Sequence, residues 1–460
     1  MNDNRMTFFT NARIPTMQGN DTVIADILVV NGKIAAIGKN LEGGENCQTF
    51  DLQKMLVLPG GIDPHVHFNT PGFEDRETFE AGSAFAASGG ITTVIDMPCT
   101  SLPPVTNVAN LENKLSTIKD RSYIDYALWG GVSGNCLEEP NWRENMQALW
   151  NVGVVGFKTY SLSGMPTFMH LSPEELAEVV KYAGKFGILI GHHAEAAEIV
   201  LPLTEKLVAE GRNDPAAYAL SRSTEAETTA IQRIGVLARQ SGTPIHIVHV
   251  SSGSGAEMIA GFKSQGADVT GETGPHYLAF SIEDFIAQGS VLKTAPPVKT
   301  KADFARLWQA LATGELTFVA SDHAPCPLAQ KQTGSIWSDY GGIPGAGTLL
   351  PFLYSEGFRT GKLTLAQLVA LTSTNAARRF GLFPQKGILQ VGGDADLVCI
   401  DELQNTIIHG ADFPSQGKLT PFEDWQFQGK IQSVFLRGNL IYNAVNGLAA
   451  TRQGQFIKRN

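Results

Sequence analysis

Cysteine is scarce in this sequence, and long apolar runs are missing. The five cysteines form no C-x-x-C pair and, being odd in number, fit no disulfide framework, so we expect free thiols in a reducing compartment. No stretch approaches the roughly 20 apolar residues of a membrane-spanning helix. The N-terminal stretch MNDNRMTFFTNARIP lacks the apolar core of a signal peptide. These absences predict a cytoplasmic protein with no membrane partner.

Positive charge is also in short supply. Lys and Arg total 35 against 45 Asp and Glu, giving a formal net charge of −10, and no basic cluster offsets it. This balance argues against a nucleic-acid partner. The 43% of hydrophobic and 17% of charged residues are ordinary for a globular enzyme. A chain of 460 residues suits about three domains of roughly 150 residues, or one large α/β barrel with a smaller domain.

Both ends of the chain have the pattern of β-strands. Residues 22–38 (TVIADILVVNGKIAAIG) hold two apolar runs joined by an Asn-Gly pair, which is a strong hairpin signal. Residues 387–401 repeat this style near the other end, and neither end contains a helix of convincing length. We therefore predict a small β-sandwich domain built from residues 1–55 and 385–460.

The middle of the chain alternates short apolar runs with helical periodicity. The runs are MLVLPGGID, ITTVIDMP, IDYALWGG, VGVVGFK, GILIGHHA, IHIVHVSS, ADVTGET and LTFVASD. Helical stretches such as 173–186 and 224–240 separate several of them, which is typical of a (β/α)8 barrel. A doubly wound sheet is the alternative, but no G-x-G-x-x-G motif follows a strand. We predict an α/β barrel over residues 56–384.

Polar side chains follow five of these apolar runs. They are His65, His67, Lys158, His193, His249 and Asp322. Because the C-terminal ends of barrel strands form the catalytic face, we expect these side chains to meet. Taken alone, each of these residues could have a purely structural role, since a His-x-His pair also occurs as two hydrogen-bonded loop histidines. His192 should face away from His193, and His246 should be a packed side chain.

Four imidazoles and one carboxylate suit zinc or a similar cation rather than calcium or magnesium. In such a site the ammonium of Lys158 would be repelled, so burial and the metals favour the neutral amine. A neutral amine can add carbon dioxide and become a carbamate, which is an anionic oxygen ligand able to bridge two ions. The residues therefore favour this chemistry at Lys158.

Over nearly its whole length the chain resembles the cyclic amidohydrolases of the amidohydrolase superfamily. The motifs are LPGGIDPHVHFN (58–69), GFKTY (156–160), HHAE (192–195), HIVHVSS (246–252), GPHYL (274–278), KTAPPV (293–298), ASDHAP (320–325) and NAARRFGLFPQKGILQVGGDADLV (375–398). The resemblance implies two divalent metal ions in a barrel. One ion would be held by His65, His67, carboxylated Lys158 and Asp322, and the other by Lys158, His193 and His249. It also implies a hydroxide that bridges the ions, Asp322 as the proton shuttle, and a homo-oligomer, either tetramer or dimer.

The superfamily includes dihydroorotases, hydantoinases (dihydropyrimidinases) and allantoinases, which differ in these motifs. Dihydroorotases have an arginine where this chain has Asn69, and they also differ at Cys99 and Cys326, which disfavours a carboxylate-bearing ring. Hydantoinases have a tyrosine where this chain has Ser163. Allantoinases are most similar, although they usually have a glutamate at the position of Thr70. We therefore expect hydrolysis of allantoin to allantoate, with dihydroorotase or hydantoinase activity as the alternatives.

The same motifs predict the residues that contact the substrate. These are Asn69, Ser161, Ser163, Ala295 and Pro344. The loops TAPP (294–297) and GIPG (342–345) would offer main-chain groups to the ring, and Ser161 or Ser163 would donate to the developing oxyanion. A non-enzyme alternative is a hydantoinase-like scaffold protein that has lost its metal ligands. Since this chain keeps every ligand type at its expected strand end, the scaffold is the weaker hypothesis.

Overall fold

The computed structural model describes residues 5–44 and 47–460, so residues 1–4 and 45–46 of the predicted small domain lie outside the described residues. The strands are β1 (Met6–Pro15), β2 (Thr22–Val30), β3 (Lys33–Gly38), β4 (Cys47–Asp51), β5 (Leu56–Pro59), β6 (Gly61–Val66), β7 (Ile91–Asp96), β8 (Asp125–Leu128), β9 (Gly130–Gly131), β10 (Phe157–Tyr160), β11 (Ile190–His193), β12 (Ile245–Ile247), β13 (Val269–Thr273), β14 (Phe318–Val319), β15 (Leu397–Ile407), β16 (Gln426–Leu436), β17 (Asn439–Asn443) and β18 (Gly447–Leu448).

Helices lie mainly between the strands of the middle region. They are α1 (Phe79–Ser88), α2 (Val108–Ile118), α3 (Gly134–Leu137), α4 (Trp142–Val152), α5 (Pro173–Gly184), α6 (Ala197–Ala209), α7 (Pro215–Ser221), α8 (Thr224–Ser241), α9 (Gly253–Ser264), α10 (Pro275–Ala279), α11 (Ile282–Gln288), α12 (Lys301–Thr313), α13 (Leu349–Phe352), α14 (Leu365–Val369) and α15 (Asn375–Arg379). Short 3-10 segments are Gly289–Leu292, Leu328–Lys331 and Gly410–Asp412, and π-helical turns are Leu353–Arg359 and Ala370–Thr374. Ser172 and Glu175 form a capping box at the start of α5, and this helix covers most of the predicted helical stretch 173–186.

Strands β6 to β14 form a parallel barrel. One set runs β6-β7-β8 and the other runs in chain order from β9 to β14. A parallel bridge between Val66 and His323 closes the ring, and His67 N donates to His323 O at 2.8 Å. The predicted (β/α)8 barrel is confirmed.

The strand that carries Lys158 begins later than its sequence suggests. Val154 and Val155 precede β10, which starts at Phe157, so Lys158 is the second residue of the strand rather than the residue after it. Side chains alternate along a strand, which places Lys158 and Tyr160 on one face. The Lys158 Nζ lies 4.8 Å from the centroid of the Tyr160 ring.

The two ends of the chain form one nine-stranded sheet in the order β18-β17-β16-β15-β5-β1-β2-β3, with β4 beside β1. The rings of Phe9 on β1 and Phe435 on β16 have centroids 4.8 Å apart. In a flat sheet three strand spacings would separate these residues by about 14 Å. The sheet is therefore curled around an apolar core of its own, and the predicted separate β domain is confirmed.

The sheet domain differs from the prediction in its limits. Strand β5 pairs antiparallel with β15 and touches β1 in parallel, so residues 56–59 belong to the sheet rather than to the barrel. The C-terminal tail returns to the barrel instead, where Tyr126 N donates to Gln455 O at 3.0 Å and Ile457 N donates to Tyr126 O at 2.8 Å. The division of the chain into two domains with exact boundaries stays a prediction.

A buried ion cluster joins the sheet domain to the barrel. The Lys386 ammonium lies 2.6 Å from Asp125 on β8, and 2.9 and 2.8 Å from Asp394 and Asp396, which precede β15. Lys386 and Asp125 are both fully shielded from solvent. Arg437 adds a second cation on Asp125. Each carboxylate therefore has a cationic partner, as buried charges require.

The structure agrees with the sequence on the cysteines and on membrane-spanning helices. The five cysteines carry free thiols, as their spacing predicts. Within residues 5–44 and 47–460, no helix has the length and apolar character needed to cross a bilayer. The cytoplasmic location stays a prediction.

Candidate active site

Five of the six predicted metal ligands line one cavity of about 180 Å³: His65, His67, His193, His249 and Asp322. The sixth, Lys158, lies against the Tyr160 ring, and this ring lines the same cavity. The residues come from five positions around the barrel. Their meeting at one end is the geometry expected for an α/β barrel site.

The first group of side chains centres on Asp322. Its Oδ1 lies 3.2 Å from both His65 Nε2 and His67 Nε2. Asp322 has a left-handed backbone with φ of 49°, which a non-glycine residue rarely adopts. The buried Asp63 carboxylate fixes the preceding residue, because it accepts from Ser321 N at 3.0 Å and from Ser321 Oγ at 2.5 Å.

The second group consists of His193 and His249. His193 Nδ1 and His249 Nε2 are 3.0 Å apart, and the ring centroids of His65 and His249 are 5.4 Å apart. One ligand atom from each of His65, His249 and Asp322 lies within 4.8 Å of the other two. The two groups are therefore neighbours, and the division of these ligands between two ions stays a prediction.

Buried carboxylates orient these imidazoles from behind. Glu272 Oε1 accepts from His65 Nδ1 at 2.5 Å, and its Oε2 accepts from His246 Nε2 at 3.0 Å. Glu195 Oε2 accepts from His193 Nε2 at 2.8 Å. Such contacts fix the tautomer of a histidine and leave its other nitrogen available as a ligand. Sequence reasoning missed both carboxylates.

Two histidines near the cluster face elsewhere, as predicted. His192 Nδ1 lies 2.8 Å from Thr159 Oγ1, and its Nε2 lies 2.7 Å from Ser161 Oγ. His246 uses its ring nitrogens on Glu272 and Thr270. Neither lines the cavity.

Lys158 is fully buried, and its Nζ has no hydrogen-bond partner among the described residues. Burial lowers the pKa of this amine to about 8, although Cys99, Asp322 and Glu272 oppose the change. A buried amine without a partner is costly, so a site that consumes the amine or neutralises it explains its presence.

The cluster also fits divalent metal ions. Burial, reinforced by the charges of His193 and Lys158, holds the pKa of His249 well below its usual value, and burial does the same for His65. Both rings are therefore neutral, which is the form that binds a metal. The His249 Nδ1 and the Lys158 Nζ are buried polar atoms without partners in the described part of the chain. Imidazole and carboxylate ligands in this number suit zinc or a related ion.

The predicted substrate contacts divide into two sets. Ser163 and Ala295 line the cavity. Asn69, Ser161 and Pro344 are buried and do not line it, so the assignment of all five as substrate contacts stays a prediction. The Asn69 amide donates to His67 O at 3.1 Å, and the Ser161 hydroxyl is engaged by His192.

Other residues complete the cavity wall. They are Thr100, Tyr160, Leu162, Gly164, Met165, Arg222, Ala324, Tyr340, Gly341 and Gly342. Gly341 and Gly342 belong to the loop that also contains Pro344, which lies two residues beyond Gly342. Arg222 was not predicted at all, because no strand-end pattern marks it.

Known proteins resemble this chain over most of its length. The model of the "Amidohydrolase family" matches residues 56–441. The allantoinase of Rubrobacter xylanophilus is 36% identical over 439 residues, covering 95% of this chain and 94% of that protein. The allantoinase of Escherichia coli K12 is 34% identical and covers 96% of each chain. The structure of L-hydantoinase from Arthrobacter aurescens superposes with a TM-score of 0.93 at 34% identity, covering 98% of this chain and 99% of that one.

Proposed function

The chain belongs to the amidohydrolase family, and from this premise we propose that it hydrolyses the ring of allantoin to give allantoate. The observation that carries the proposal is the buried Lys158 amine, which has no hydrogen-bond partner among the described residues and lies beside a cavity lined by four histidines and an aspartate. This set of groups suits the activation of water for attack on an amide. The allantoinases among its relatives support this cyclic ureide as the substrate.

The proposed cofactors are two divalent ions, with zinc as the first choice. His65, His67 and Asp322 would hold one ion, and His193 and His249 the other. When bound, such ions lower the pKa of water from about 16 toward 7 and polarise a carbonyl. Lys158 would bridge them as a carbamate, formed when the neutral Nζ bonds to the carbon of carbon dioxide and releases a proton.

Asp322 is the proposed proton shuttle. Its carboxylate accepts the proton of the attacking water and delivers it to the ring nitrogen that leaves. The side chain is 15% exposed, whereas the His65 side chain is 1% exposed, so Asp322 faces the open part of the cavity. Loss of the ring C–N bond then yields a carboxylate and a ureido nitrogen.

The cavity wall supplies the contacts for the rest of the ring. Ala295, Gly341 and Gly342 line the cavity, and main-chain groups of this wall would contact the ring. The Ser163 hydroxyl donates to Phe168 O at 2.7 Å, so it must rotate before it can donate to an oxyanion. We also propose a homo-oligomeric assembly, which light scattering of the purified protein tests.

Kinetics with a panel of cyclic amides test the proposal. Metal-loaded protein is assayed with allantoin, dihydroorotate, hydantoin and dihydrouracil, and allantoin should give the highest kcat/KM. A preference for dihydrouracil or hydantoin would assign the protein to the hydantoinases, which its similarity to L-hydantoinase favours as the second candidate. Absence of bound metal and of all turnover would support the scaffold alternative instead.

The carbamate has a separate test. Lys158→Ala should lose both metal and activity, and short carboxylic acids should restore part of each because they replace the missing oxygen ligand. Retention of full metal content and activity in Lys158→Ala would contradict the carbamate.

A further inference from the structure

One residue of the cavity wall, Arg222, lies in the short segment between two helices rather than at the end of a barrel strand. Arg222 follows α7 directly, and Ser223 caps the start of α8 by accepting from Ala226 N. The Lys299 ammonium donates to the carbonyl oxygen of Arg222 at 2.5 Å. Arg222 is therefore held by the two helices that flank it and by Lys299, although it lies outside regular secondary structure.

The guanidinium of Arg222 is held on two sides. It donates through Nη1 to Glu195, the buried carboxylate that orients His193. Its Cζ lies 5.0 Å from the centroid of the Tyr218 ring, and Tyr218 in turn donates to Thr294 O at 3.2 Å. These contacts fix the plane of the guanidinium and tie it to the loop that contains Ala295.

The remaining donors of this guanidinium are free to bind a ligand. Among the described residues, only Glu195 accepts a hydrogen bond from it, yet a guanidinium has five N–H groups. The side chain is 18% exposed, and Arg222 lines the cavity. Its exposed donors therefore face the space in which a substrate must lie.

The position and the charge of Arg222 define which acceptor groups of a ligand its N–H donors can bind. One oxygen of Glu195 contacts both His193 and Arg222, so the guanidinium lies one carboxylate away from the predicted metal ligands. A ring whose carbonyl is attacked at that cluster brings its substituent close to Arg222. Because Glu195 already balances the guanidinium charge, a neutral carbonyl is a suitable acceptor and a full anion is not required.

We propose that Arg222 is a specificity-determining residue that hydrogen-bonds the carbonyl of a ureido substituent on the substrate ring. This inference rests on the proposed function and deepens it. The site then selects ureides that carry an acceptor outside the ring over the same ring without a substituent. A hydrogen bond to a charged group discriminates by about 10- to 100-fold, and the fixed plane makes lysine a poor replacement.

The test compares two substrates that share one ring. For the holoenzyme, kcat/KM is measured with allantoin and with unsubstituted hydantoin, in the parent, Arg222→Lys and Arg222→Met. The ratio of the two values should fall about 10- to 100-fold in both variants. Arg233→Met is the matched control, since Arg233 makes an ion pair with Glu198 on the outer helices, and this variant should keep the parent ratio.

A binding measurement gives a readout that needs no turnover. Calorimetry compares allantoate with N-carbamoylglycine, two carboxylate products that differ in the extra ureido group. The preference of the parent for allantoate should fall by a similar factor in Arg222→Lys. Metal content is measured in every variant, because Arg222→Met leaves Glu195 without its cation.

The outcomes separate this inference from the proposed function. If the parent hydrolyses neither substrate, the proposed function fails, while product binding still tests Arg222. If both substrates lose kcat/KM in parallel, so that the ratio changes by less than about threefold, Arg222 acts only by supporting Glu195 and the inference is overturned. Should Arg222→Met fail to fold, Arg222→Lys decides, because it keeps a cation beside Glu195.

Discussion

Replacing Lys158 with methionine should remove activity and yet stabilise the metal-free protein. The ammonium of Lys158 is fully buried and has no hydrogen-bond partner in the described residues. A pKa lowered from 10.5 to about 8 corresponds to about 3 kcal/mol, since each pKa unit is worth about 1.36 kcal/mol. Methionine has a similar shape without the charge, so Lys158→Met should recover energy of this order.

The effect should depend on pH in a defined direction. Below pH 8 the amine is protonated in both folded and unfolded chains, so the full cost of about 3 kcal/mol is present. Between pH 8 and 10.5 the unfolded chain binds more protons than the folded one, and the stability of the parent rises with pH. The advantage of Lys158→Met should therefore shrink across this window.

Urea unfolding of chelator-treated protein, in buffers free of carbon dioxide, measures the difference at pH 7 and pH 10. Lys386→Met is the matched control, because Lys386 is equally buried but lies within 2.9 Å of three carboxylates. Removing a cation from such a cluster should destabilise by about 3–5 kcal/mol. If Lys158→Met is destabilised like the control, or if its advantage is the same at both pH values, the buried-cation reasoning is refuted.

Two further substitutions and one comparison of substrates test other parts of the site. Asp322→Asn should lower kcat by more than about tenfold, or about 1.4 kcal/mol, with an unchanged circular dichroism spectrum; a smaller loss would mean that another group moves the proton. Glu272→Gln should weaken metal binding by about 10- to 100-fold, measured by competition with a chelator, because it loosens His65 and His246; unchanged affinity would show that these contacts are dispensable. Dihydroorotate should show a lower kcat/KM than allantoin, and the reverse order would contradict the substrate assignment.

The sequence was informative wherever a residue's position on a strand decided its direction. Histidines two apart on an extended chain share a face, which explains why His65 and His67 both reach Asp322. The same spacing predicts that Glu195, two residues after His193, lies on the same side of the chain as that histidine. Lys158 is buried beside the cavity although β10 starts later than expected, because the apolar run and the buried position coincide; its role as a metal ligand stays a prediction.

Other features depend on contacts between distant segments, which local pattern does not encode. Arg222 arrives from a link between helices and Glu272 from another barrel strand, so neither has a neighbour in sequence that explains it. Ser161 was expected at the substrate, but its hydroxyl meets His192 on the adjacent strand. The pairing of β5 with the sheet is not encoded locally for the same reason, since its partners β1 and β15 lie far apart along the chain.

The position of β5 between β1 and β15 has a consequence during synthesis. Roughly 340 residues separate the end of β5 from the start of β15, which at about 5–20 residues per second takes about 20 to 70 s on the ribosome. Throughout that time the first strands expose an unpaired edge. The barrel therefore emerges from the ribosome before the sheet is complete. A nascent chain that pauses in this interval should be the form most prone to aggregation and to binding by chaperones.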